Sequence, residues 1–225
     1  WLHGYATLNP ERPSMVTSFL LLQLQKIGQH FDAYVPFLMW ISLNPFRSED
    51  LVCEQSGDKE YPPRALGVAR EAAAWIKTRP NATPDQIAYV IALAQMVQSA
   101  MTDADGIWLD WDLVNLLKRA GHRGAAADVL GRVLKKKRGE FWVWKEAADL
   151  YRDDQPELAL ACYCHALRLG AEPQFVGKTH ASLGLFLKEE GNTAQAISEA
   201  EIAAAIYDRE DWHCPSGLAE LLRID

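Results

Sequence analysis

"HASLGLFLKEEGNTAQAISEAEIA" occupies residues 180–203. On one side of Gly191-Asn192, His180, Leu183, Gly184 and Leu187 recur at helical spacing. On the other side Ala196, Ala200 and Ala203 do the same. Spacings of three and four residues put each set on one face of a helix, and the Gly-Asn pair between them ends the first helix. Small residues let two helix backbones approach closely, and bulky ones fill the groove opposite. The stretch therefore predicts a helical hairpin. The layout recurs upstream. Trp144 leads Ala147, Ala148 and Tyr151, followed one residue early by Ala159, Tyr163 and Ala166. Trp111 leads Val114, Asn115 and Lys118, followed by Ala127, Gly131 and Leu134. The leading residues are 33 and 36 positions apart. Self-similarity at such a period is the mark of stacked helical repeats. Asn115 and Lys118 fit the pattern worst.

The layout resembles the tetratricopeptide pattern: a large residue, Leu-Gly and Tyr on helix A, then two small residues around a larger one on helix B. The resemblance implies an all-α fold, a right-handed superhelix of stacked helical hairpins. Residues 104–225 are expected to form three tetratricopeptide-like repeats plus a C-terminal capping helix. Residues 1–103 lack the clean motif but still read as helix. "ALGVAREAAAWIKTRP" (65–80) looks like a helix B, with Ala69, Ala73 and Ile76 at the right offsets. "TPDQIAYVIALAQMVQSAM" (83–101) carries a Thr83 cap and Pro84 in its first turn. We expect 1–103 to be an N-terminal helical bundle packed on the repeats, with Met15–Ser42 its most apolar part and Ser48–Pro63 a long exposed loop.

The 225 residues are 49% hydrophobic and 24% charged, with a formal charge of -7. That charge argues against a general nucleic-acid coat, which needs a basic face. No uncharged run is long enough to span a bilayer. The chain opens with Trp1 rather than methionine and is read as a piece of a longer protein. Cys53, Cys162, Cys164 and Cys214 make no disulfide framework, so reduced thiols and a cytoplasmic setting are expected. In the Cys162–His165 stretch the two cysteines are two apart on a helix and point away from each other. Cys162 and His165 alone do not make a metal site. No phosphate loop, nucleophile elbow or zinc-protease motif is present. We expect no enzyme activity, no metal and no cofactor.

"HFDAYVPFLMW" (30–40), "KKKRGEFWVW" (135–144), "PELALACYCHAL" (156–167) and "FVGKTHASLGLFL" (175–187) resemble, in this order, a family of bacterial repeat proteins. That family occurs in primase–helicase-type conflict (defence) systems. In it, the helical region is followed by a cold-shock-like nucleic-acid-binding domain. The resemblance implies a scaffold in a defence system. Its motifs are packing motifs, so it assigns nucleic-acid binding to no residue here.

"LKKKRGEFWVW" (134–144) sets four basic residues against three aromatics. Lys135–Arg138 end helix B of the first repeat, where cations suit the helix dipole, and Gly139 suits a left-handed cap. Phe141, Trp144, Ala148 and Tyr151 are expected to form a core stripe, with Trp142 off it and exposed. The tetratricopeptide resemblance places twelve helix-A positions along a concave groove. They are Leu109, Asp112, Leu116 and Arg119; Trp142, Lys145, Asp149 and Arg152; Lys178, Ala181, Leu185 and Lys188. Five are basic and two acidic. The expected partner site is thus Trp142 with Lys145, Arg152, Arg119, Lys178 and Lys188, suited to a protein or acidic peptide. On a plainer reading the same cations pair with Glu146, Asp149 and Glu189. The alternative function is a nucleic-acid-associated module acting through Lys135–Arg138 and Trp142, or through a domain absent from this chain.

Overall fold

The computed structural model describes residues 4, 7, 11–101, 106–169 and 172–223. The expected boundary between residues 103 and 104 lies outside them. The fold is all-α, with one short hairpin of strands among the described residues, and it falls into two compact units, 1–132 and 133–225.

Unit 1 begins with α1 (Met15–Leu24) and α2 (Tyr34–Ile41). Then come a 3-10 turn at Ser48–Leu51 and the antiparallel strands β1 (Glu54–Ser56) and β2 (Lys59–Tyr61). Ser48–Pro63 is thus ordered rather than one long loop. Its strands are three residues long, β2 is solvent-exposed throughout, and so no alternation marked them. Gly57 supplies the positive φ of the turn. Asp50 anchors the segment: it is buried and accepts a 2.5 Å hydrogen bond from the Ser18 hydroxyl and one of 3.1 Å from the Arg47 amide. The helices α3 (Arg64–Lys77), α4 (Pro84–Ala100) and α5 (Ile107–Arg119) pack against one another. Ala69, Ala73 and Ile76 are buried on α3, as their spacing predicted. The start of α4 is a capping box: Thr83 Oγ1 accepts from the Gln86 amide, and Gln86 Oε1 accepts from the Thr83 amide at 2.9 Å. Tyr34 and Trp75 are buried and polar-satisfied, with Trp75 Nε1 donating to the Phe31 carbonyl at 2.9 Å.

The unit division falls inside α6 (Arg123–Lys137), the partner of α5 in the first hairpin. Arg132 on α6 pairs with the buried Asp110 of α5 at 2.8 Å. The buried small–large–small residues of α6 are Ala126, Leu130 and Val133. Ala127, Gly131 and Leu134, taken from the sequence, are half-buried. The first hairpin therefore runs one residue early, as the second does.

Unit 2 holds the hairpins α7 (Phe141–Tyr151)–α8 (Pro156–Arg168) and α9 (Pro173–Glu189)–α10 (Thr193–Arg209). The second stacks on the first through α9, and α11 (Ser216–Leu221) caps α9 and α10. Leu183, Gly184, Leu187, Ala196, Ala200 and Ala203 are all buried. A β-carbon at Gly184 would stand 3.1 Å from the Ala196 carbonyl oxygen, tighter than ordinary contact, so a side chain there would press on the backbone of the next helix. The A-to-B turns of the first and third hairpins are alike. Gly121 and Gly191 both take φ +78, while the His122 and Asn192 amides donate back to the Leu117 and Leu187 carbonyls at 2.8 Å. Gly139 does not adopt a positive φ. The α6–α7 connection bends instead around the Arg138 carbonyl, which accepts from Trp144 Nε1 at 2.7 Å.

Candidate functional site

The core stripe of α7 is Val143, Ala147 and Leu150, with Ala148 beside it. Phe141, Trp144 and Tyr151 are only half-buried, because the stripe is centred one residue earlier than expected. Trp144 rests edge-on against His165 of α8, with ring centroids 4.4 Å apart. Trp142 lies off the stripe and is half-buried rather than exposed.

On the face of α7 that carries Trp142, Lys145, Asp149 and Arg152 follow at helical spacing. Asp149 is the hub. It accepts from Lys145 Nζ at 2.6 Å and, through its other oxygen, from the Tyr163 hydroxyl of α8 at 2.6 Å. Tyr163 is fully buried, and burial followed by the Asp149 charge pushes its phenol far above the ordinary tyrosine range. It is a fixed donor. Arg152, at the C-terminal end of α7, pairs with Glu189 at the end of α9. Burial pulls its guanidinium down, but the Glu189 bond and charge outweigh that and raise it, so the cation is held. The pairings with Asp149 and Glu189 tie α7 to its neighbours.

The corresponding face of α9 differs. The side chains of Lys178 and Lys188 are exposed and make no ion pair or hydrogen bond with any described residue. Ala181 and Leu185 lie between them. Leu185 borders α11: its Cδ2 is 3.4 Å from where a β-carbon on Gly217 would stand.

Arg119 does not join this set. In unit 1 its guanidinium donates to the carbonyls of Ile76, Arg79 (2.5 Å) and Pro80 (2.9 Å), closing the C-terminal end of α3. Leu109 and Leu116 are buried, and Asp112 is tied to Arg70 at 3.2 Å. Burial raises the Asp112 carboxyl despite that arginine. The groove positions of the first hairpin are therefore occupied by α3. The misfit at Asn115 and Lys118 was the only hint of this in the sequence.

Cys162 is buried and Cys164 exposed, so they face apart. Among the described residues no group of three His, Cys, Asp or Glu side chains could hold a metal ion. No helix of the described chain is long and apolar enough to cross a membrane.

Residues 107–225, more than half of the chain, match the family model described as "Domain of unknown function (DUF7017)". The chain is similar to the solved structure "MamA RS-1 ArsTM double mutant", with 14% identity over 65% of this chain and 87% of that one, and a TM-score of 0.49. It is also similar to "MamA 41-end from Desulfovibrio magneticus RS-1", with 15% identity over 65% and 86%, and a TM-score of 0.45. No match was found among curated proteins.

Proposed function

The chain belongs to the family described as "Domain of unknown function (DUF7017)", a description that carries no activity, and from its own geometry we propose that it is a non-enzymatic scaffold that binds protein or peptide partners. The observation that carries this reading is the polar, partly open face of the A helices in unit 2. Trp142, Lys145, Arg152, Lys178 and Lys188 lie there, while the B helices bury alanines. Stacked hairpins of this kind offer long faces suited to extended partners. Arg119 is left out of the site, because it is spent on backbone carbonyls.

The sequence resemblance supports a setting in a bacterial conflict system, and free cysteines support a reducing, cytoplasmic one. The nucleic-acid reading has less support. The net charge is -7, and Lys136 and Lys137 already have partners within the fold. The test is affinity capture with wild type and a Trp142→Ala/Arg152→Glu variant, after circular dichroism shows that both fold. Loss of specific co-purifying proteins from the variant is expected. Identical partner profiles would overturn the proposal.

A further inference from the structure

Beyond the scaffold reading and independent of it, we propose that unit 1 carries a self-association surface: a second copy of the chain packs on α1 and the adjoining end of α2. The starting point is α1, which is inside out. At about 100° per residue its side chains divide into two opposite faces. The inner face is Thr17, Ser18 and Leu21, all buried, with the Ser18 hydroxyl bonded to Asp50. The outer face holds Met15, Val16 and Phe19, which are 75%, 53% and 59% exposed. A surface helix ordinarily does the reverse. Arg12 ties the start of α1 to the end of α2. It donates to the Trp40 carbonyl at 2.6 Å, and its guanidinium lies 4.4 Å from the Trp40 ring centroid. Met39 and, just past the end of α2, Leu43 are exposed apolar side chains as well.

Single exposed apolar side chains need no explanation, but a group of them does. These five leave about three whole side chains uncovered, on the order of 500 Å². Two copies that bury such faces with their polar rims reach roughly 1,200 Å², the lower end of specific interfaces, which suits a reversible dimer. Charge selects the second copy over other occupants. Residues 13–25 and 33–46 contain no charged side chain. Homodimer interfaces are the class that is apolar and depleted of charge at the centre. A helix lying on anionic lipid needs Lys and Arg along its polar face, and α1 has neither in a chain of net charge -7. The ends are complementary when the two copies run antiparallel. Exposed Glu11 precedes α1 and exposed Lys26 follows it. A two-fold axis beside Phe19 sets Glu11 of one copy near Lys26 of the other. It also sets each helix N-terminus beside a C-terminus, so the dipoles attract.

The test is sedimentation velocity of the whole chain from about 1 to about 100 µM, across which a dimer with a Kd on the order of 10 µM shifts from monomer to dimer. Phe19→Glu sets two like charges across the axis and should weaken the dimer at least about tenfold. Phe19 is more than half exposed, so this variant should fold, and circular dichroism checks that it does. Phe19→Lys alone should behave in the same way. An equimolar mixture of Phe19→Glu and Phe19→Lys should dimerise more tightly than either variant alone, because opposite charges then meet across the axis. A wild-type chain that stays monomeric at about 100 µM overturns the proposal, whether residues 1–10, another protein or a lipid surface then covers the face. So does a dimer that Phe19→Glu leaves unchanged, or a mixture no tighter than its components.

Discussion

Tyr163 shows how one residue links packing to electrostatics. Its ring packs near Phe186, with centroids 5.7 Å apart, and its hydroxyl reaches the Asp149 oxygen that Lys145 leaves free. The folded phenol stays protonated well above the ordinary value of 10.0. Below about pH 10 the folded and unfolded chains both keep the proton, so stability does not depend on this group. Above that, the unfolded tyrosine ionises first and draws the equilibrium toward unfolding. Stability is therefore lost as pH rises toward the folded value. Tyr34 and Tyr89 are raised in the same direction by burial. Urea unfolding between about pH 8 and about pH 11 should show a plateau and then a fall. Tyr163→Phe should cost about 1 kcal/mol on the plateau for the lost hydrogen bond, and should make the fall shallower. An unchanged alkaline slope would mean the phenol is not held as described. The cysteines separate at the same scale. Burial raises the Cys162 thiol, while Cys164 is exposed. Native alkylation followed by mass spectrometry should modify Cys164 well before Cys162.

At the scale of elements, the A-to-B turn is the most specific device. Gly191 sits at φ +78 with open space where a β-carbon would go, so only backbone conformation penalises substitution. Gly191→Ala should cost about 1–2 kcal/mol in urea unfolding, and Gly124→Ala, in an open position on α6, should cost nothing or stabilise. These turns also explain what the sequence could reveal. The third hairpin was legible because Gly184 and three alanines at four- and three-residue steps allow one register. The first was misread by one residue because Ala125, Ala126 and Ala127 form a run that carries no phase. The β1–β2 hairpin left no signal, since three-residue exposed strands have no buried face to alternate. On α7 the partners Asp149 and Glu189 were nameable from charge alone. The diversion of Arg119 to the end of α3 was not, because backbone carbonyls have no sequence signature.

For the whole molecule the consequence is locality. In a stack each hairpin draws its stability from its own seam and its nearest neighbours. Unit 1 buries a separate core around α3, α4 and α5, with Val68, Val90 and Leu113 inside it. Ala200 is fully buried on α10, its amide nitrogen 3.4 Å from where a β-carbon at Gly184 would stand. Ala200→Trp has no room without pushing α9 and α10 apart, and should cost about 1–3 kcal/mol or more. The damage should be uneven. Amide hydrogen exchange should speed up across α9, α10 and α11, whose Leu218 and Leu221 are buried against that hairpin. Protection in α3 and α4 should stay at the wild-type level. If exchange instead rises equally through unit 1, the chain unfolds as one cooperative body and the repeat description of its energetics is wrong. If thermal unfolding of the variant matches wild type, Ala200 does not face the α9 seam and the register of the third hairpin is wrong.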